Sequence, residues 1–126
     1  MGFQDDWIMR QITTLAHFVA KIVFNKDNIG YTNESSDMLS QTDQLHLQLH
    51  RLIKERKICQ AEDLLYDNIQ FTDKFVELAT DFYTKLNELS DQELKDADFS
   101  RDEVFEGYVD ILTKCGVPVE QLSEHE

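Results

Sequence analysis

The chain is 126 residues long, with 41% apolar residues, 29% charged residues and a formal net charge of −13. That length holds one domain with a single core, the charge excludes the basic surface that nucleic acid requires, and four glycines and one proline are too few for the closely spaced turns of an all-β fold. The expected fold class is all-α: a compact helical bundle of about five main helices plus one short helix, in a single domain over residues 1–126.

The N-terminus, Met1-Gly2-Phe3-Gln4-Asp5-Asp6, carries acid where an export signal carries positive charge. Asp6 also stands where N-myristoylation needs Ser or Thr, and no apolar run reaches the roughly 18 residues of a membrane span. The expectation is a cytoplasmic protein with no membrane span, no cofactor and two reduced thiols, Cys59 and Cys115.

Trp7 to Phe24 reads as one long helix with a narrow polar stripe of Arg10, Thr13, Thr14, His17 and Lys21. The remaining positions, among them Trp7, Ile8, Ile12, Leu15, Phe18, Val19, Ile22, Val23 and Phe24, cover more than half of its circumference. A helix so widely apolar needs cover on two sides. It is expected to be central in the bundle or to lie at a subunit interface, with Trp7, Phe18 and Phe24 as the interface candidates.

The polar stretch 25–37 is expected to be a mobile loop. A second helix follows from about Asp37 to Arg56, with Ser36 as its N-cap. On it Asp43, His46 and His50 share one strip at i, i+3 and i+7 and form the candidate metal-ligand set, although Lys54 continues the strip and a complete site would draw on another helix. A tight turn at Lys57 then leads into a third helix carrying Ile58, Ala61, Leu64, Leu65 and Ile69, so the two should form an antiparallel hairpin. Cys59, in the first turn of that third helix and just after Arg56 and Lys57, sits where dipole and cations would lower a thiol pKa and is a redox candidate, but the expectation for both Cys59 and Cys115 is a buried structural thiol.

Asp73 to Leu89 reads as an amphipathic helix, with Phe75, Val76, Leu78, Ala79, Phe82, Tyr83, Leu86 and Leu89 on one face and polar residues elsewhere. Ser90 to Glu93 and Ser100 to Glu103 match the Ser-x-x-Glu capping box and announce a short helix near Asp91 to Asp96 and a long one from Arg101 to Cys115. Gly116 and Pro118 stop the latter, and residues 120–126 should fray.

Two acidic groupings in this half suggest cations. Asp96, Asp98, Ser100 and Asp102 open like a calcium loop, but Arg101 and Gly107 occupy the positions of its glycine and closing glutamate. Glu103, Glu106 and Asp110 share one face of the last helix, where a magnesium site would need carboxylates from a second helix. The charge is unevenly divided: residues 1–60 hold seven acids and seven Lys or Arg, and 61–126 hold eighteen against five. Such an acidic half disfavours nucleic acid and anionic membranes.

Phe3-Gln4-Asp5-Asp6-Trp7-Ile8-Met9-Arg10-Gln11-Ile12, the segment from Leu52-Ile53 through Ala61-Glu62-Asp63-Leu64-Leu65, and Phe99-Ser100-Arg101-Asp102-Glu103 with Gly107 resemble an uncharacterised family of small helical proteins from Gram-positive Firmicutes. The resemblance implies a helical fold and a cytoplasmic location, and brings no activity, cofactor or site residue. The hairpin is also similar to one tetratricopeptide-type unit, without a second unit at a 34-residue offset. Function is expected to be that of a non-enzymatic protein-interaction module, with a protein partner or self-association as a homodimer. The alternative is a metal-binding or metal-dependent hydrolase-like protein built on Asp43, His46 and His50 or on the acids of the last helix.

Overall fold

The computed structural model describes the backbone of residues 2–24 and 40–119 and the side chains of 6–23 and 40–119. Among these residues there are only helices and their connections: α1 (Gly2–Val19), continued by a π-helical turn (Ala20–Phe24), α2 (Gln41–Lys54), α3 (Ile58–Asp67), α4 (Asp73–Asn87), α5 (Asp91–Asp96) and α6 (Arg101–Lys114). The segment 25–37, Ser36 and the tail 120–126 lie outside the described residues, as does the side chain of Phe24.

Local chemistry accounts for most helix boundaries. Ser90 and Ser100 each accept the backbone N–H three residues on, while Glu93 and Glu103 accept the N–H of their serine, so both expected capping boxes are formed. Ser40 and Asp43 form a third box and start α2, and Thr72 accepts from the Phe75 N–H to start α4. Three helices end alike. At Arg56, Asp98 and Gly116 the chain turns left-handed, with φ of 62°, 62° and 86°. In each case the next residue donates its N–H to the carbonyl five positions earlier: Lys57 to Leu52, Phe99 to Leu94 and Val117 to Leu112, all at 2.9 Å. These are Schellman ends. Phe99 on Leu94 and Val117 on Leu112 are buried pairs that add the apolar contact typical of the motif.

The central helix is α4. It touches α1, the π turn, α2 and α6, and it is covered around most of its circumference: Glu77, Thr80, Asp81 and Asn87 are buried along with Phe75, Val76, Leu78, Ala79, Phe82, Tyr83 and Leu86. The polar positions outside its apolar face are covered as well, and each makes a hydrogen bond. Thr80 accepts from Tyr108 Oη at 2.8 Å, Glu77 accepts from Lys74, and Asn87 Nδ2 donates to the Met9 carbonyl of α1. Among the described residues α1, despite its wide apolar surface, packs chiefly against α4 and α6, burying Ile8, Ile12, Leu15, Ala16 and Val19. α2 and α3 pack as the expected hairpin.

Candidate functional site

On α1 the buried side is centred on Ile8, Ile12 and Val19, and the adjoining side faces solvent. Trp7 and Ile22 are each 49% exposed, and Phe18 is half-buried against the core. The eleven-residue step from Trp7 to Phe18 is three turns and returns to the same side, and Ile22 follows one turn later. Arg10, His17 and Lys21 are exposed along one flank of this strip, with Asp6 beside them. Over α1 and its π turn Asp5 and Asp6 balance Arg10 and Lys21, so this helix is apolar and close to neutral in a strongly acidic molecule. Of the three interface candidates, Trp7 is open and Phe18 half-covered, while Phe24 has no described side chain. Ile22 belongs to the strip too; its place on the wide apolar arc gave the same signal as Val19, which is buried.

The metal-ligand set is divided among other tasks. Asp43 is fully buried and its Oδ2 accepts the Ser40 N–H at 3.3 Å, so this carboxylate serves the start of α2. His46 Nε2 lies 3.0 Å from Asp81 Oδ2 on α4, and the His50 ring stacks on His46 with centroids 6.4 Å apart. Lys85 Nζ takes the other Asp81 oxygen at 3.1 Å. Burial pushes the Asp81 carboxyl up, but the bonds from His46 and Lys85 outweigh it and hold the group below its ordinary value. Around these residues Leu49, Ile53, Leu78 and Phe82 close the groove between α2 and α4. Among the described residues no three His, Cys, Asp or Glu side chains are placed to hold a metal ion.

Glu103 and Asp110 do come near a carboxylate from a second helix, Glu62 of α3, which separation in sequence concealed. Glu62 reaches towards Gly107 of α6, Tyr83 Oη of α4 donates to its Oε2 at 2.6 Å, and Tyr66 Oη donates to Asp110 Oδ2 at 2.9 Å. Burial raises the Glu62 carboxyl, the Tyr83 bond pulls it back, and Glu103, Asp63 and Asp110 add to the rise. Both tyrosine hydroxyls are raised, chiefly by burial. Tyr83 stacks on Tyr108 with centroids 5.5 Å apart. Gly107 makes room for this junction: a Cβ there would collide with the Glu62 carboxylate and stand 2.8 Å from Tyr83 Oη. A glycine inside a helical pattern was the available sequence signal for it.

Cys59 is exposed rather than a buried structural thiol, and its thiol pKa is raised, not lowered. Partial burial is the first cause, and Asp98, Glu103, Glu62 and Asp63 supply the rest, an acidic surrounding that overrides the nearby cations. Cys115, half-buried, is raised by burial. The calcium-like acids are also occupied otherwise: Asp98 forms the α5 end, Ser100 caps α6 and Asp96 accepts from Gln92 at 2.8 Å.

At the corner of α5 and α6, a cleft of about 280 Å³ is lined by Asp91, Leu94, Lys95, Phe99, Ser100 and Arg101. The Arg101 guanidinium is turned inward, donating to the Asn87 carbonyl at 2.8 Å and to Asp91 Oδ1 at 2.6 Å. Its Nε and the Asn87 Oδ1 are buried without a hydrogen-bond partner among the described residues.

No helix among the described residues is long and apolar enough to cross a membrane. No curated protein and no solved structure matches the chain. Residues 2–116, from the start of α1 to the glycine stop after α6, match the family of unknown function DUF6483, and the chain belongs to that family.

Proposed function

We propose that the protein is a non-enzymatic interaction module whose docking surface is the outer strip of α1. The observation that carries this reading is the exposure of Trp7 and Ile22 on one strip of one helix. Among the described residues the exposed large apolar side chains are Trp7, Ile22, Leu47 and Phe71, and α1 supplies two of the four, joined by the half-buried Phe18. A helix that buries one side in its own core and leaves an aromatic and a branched aliphatic residue on the next presents the groups that anchor protein interfaces.

The test is a photo-cross-linking residue placed at position 7 in the native host, with the exposed Asp102 on α6 as the control position. Specific protein adducts at position 7, absent at 102, are expected. Position 7 yielding no adduct beyond the control would remove the strip as a docking surface. Trp7→Ser and Ile22→Ser should abolish adducts formed from a cross-linker at Thr14 while changing folding stability by less than about 0.5 kcal/mol, because both side chains are exposed.

A further inference from the structure

We infer that the cleft between α5 and α6 binds a small carboxylate on the guanidinium of Arg101, in exchange for the Asp91 carboxylate that meets it in this structure. Arg101 carries the argument. Its side chain lines the cleft although it is 4% exposed, and a guanidinium so deeply buried needs its charge paired and its N–H groups satisfied. Nη1 donates to the Asn87 carbonyl at 2.8 Å and Nη2 to Asp91 Oδ1 at 2.6 Å. Nε has no hydrogen-bond partner among the described residues.

The shape of a guanidinium gives that pattern a meaning. Nε–H and the neighbouring N–H of Nη2 point the same way and form a fork, which a carboxylate fills with two parallel bonds, one to each oxygen. Asp91 fills half of it. Fixed to the first residue of α5, its carboxylate bonds Nη2 and not Nε, a constraint that a carboxylate on a separate molecule does not share.

Asp91 is also the partner that is able to leave. Its side chain is 60% exposed, so it turns into water without opening the core, whereas the cation stays buried. Arg101 without an anion is strongly unfavourable, which couples the departure of Asp91 to the arrival of another anion. The cleft beside them measures about 280 Å³, the space of about nine waters. Leu94 and Phe99 give it an apolar wall and the exposed Lys95 a second cation. Two cations and one acid therefore line this cleft in a chain of net charge −13. That overall charge opposes each added negative charge, and so favours a singly charged carboxylate with a short apolar body over a phosphate.

The Nε–H resonance of Arg101, identified in ¹⁵N NMR spectra through its bonds to the Arg101 backbone, reads the fork directly. Titrating the full chain with acetate, propionate or succinate at constant ionic strength should move it downfield and saturate, while the Nε–H of Arg56 stays in place. Asp91→Ser removes the internal competitor and should tighten carboxylate binding about tenfold. Lys95→Gln should weaken it about threefold.

An Arg101 resonance that responds to none of the three acids in the wild type overturns the site, whether or not the variants fold. Carboxylate binding no tighter in folded Asp91→Ser than in the wild type overturns the exchange with Asp91. Inorganic phosphate that saturates the shift at lower concentration than every carboxylate overturns the ligand class.

Discussion

His46 Nε2 and Asp81 Oδ2, 35 residues apart in the chain, lie 3.0 Å from each other and tie α2 to the middle of α4. The carboxylate is 7% exposed and Lys85 occupies its second oxygen. Asp81→Asn removes the buried anion that the Lys85 ammonium pairs with and His46 Nε2 hydrogen-bonds, and should lower stability by about 2 kcal/mol at neutral pH. The pH dependence has a definite sign. The folded-state pKa of Asp81 is below its ordinary value of 3.8, so its stabilising effect is present above that value and lost as pH falls through the folded pKa. Urea melts between pH 7 and pH 2.5 should show the deficit of Asp81→Asn shrinking at the acid end.

Glu62 behaves oppositely. Its carboxyl is raised above 4.5, so the folded state binds this proton more tightly than the unfolded chain, and stability declines as pH rises from about that value through the folded pKa. Glu62→Gln keeps an acceptor for Tyr83 Oη and removes the charge opposed by Glu103, Asp63 and Asp110. The substitution should raise the melting temperature at pH 7 by about 2–4 °C, and thermal melts at pH 4 should show that gain largely gone.

Gly107→Ala sets two effects against each other. Helix propensity favours alanine by about 1 kcal/mol in the interior of α6, but its Cβ would collide with Glu62 and approach Tyr83 Oη at 2.8 Å. Glu62 has a flexible end that can swing away; the Tyr83 ring is fully buried and stacked on Tyr108. Overpacking should prevail, with a net loss of about 1–2 kcal/mol in chemical denaturation. The double variant Gly107→Ala, Tyr83→Phe, which removes the crowded hydroxyl, should show a smaller cost for the alanine than Gly107→Ala does in the wild-type background.

Asp98 and Arg56 hold left-handed backbone at helix ends where Gly116 does the same without a side chain. Asp98 is exposed, so Asp98→Gly relieves the unfavourable φ with little lost contact and should stabilise by about 0.5–1 kcal/mol. Arg56→Gly gains less, because Arg56 also bonds Glu93 at 2.5 Å. Paired urea titrations of the two variants give the comparison.

The helices were legible because their ends are written locally. Ser90-x-x-Glu93, Ser100-x-x-Glu103 and Gly116 sit within one turn of the boundaries they determine. The left-handed ends at Arg56 and Asp98 left no glycine to mark them, and Ser40-x-x-Asp43 was obscured because Asp43 stood at ligand spacing with two histidines. The position of α4 was not legible. Apolar periodicity reports which side chains avoid water, whereas the centre of this bundle also holds polar side chains that have found partners on other elements, such as Tyr108 for Thr80 and His46 for Asp81. Cys59 failed for a similar reason, since Asp98 and Glu103 approach it only through the fold. The outer side of α1 was legible as an excess of apolar surface, although which of its residues face solvent depended on how α4 and α6 divide the helix between them.

The enclosure of α4 also governs how freely its sequence can drift. On a surface helix a neutral exchange needs only one face respected, but Phe75, Thr80, Asp81, Tyr83 and Asn87 are buried positions of α4 committed to packing or to specific hydrogen bonds. Substitutions there must suit a neighbour as well as the helix, and compensating changes will fall on residues tens of positions away. Deep mutational scanning should therefore find α4 the least tolerant stretch of the chain and the exposed positions of α3 and α5 among the most tolerant.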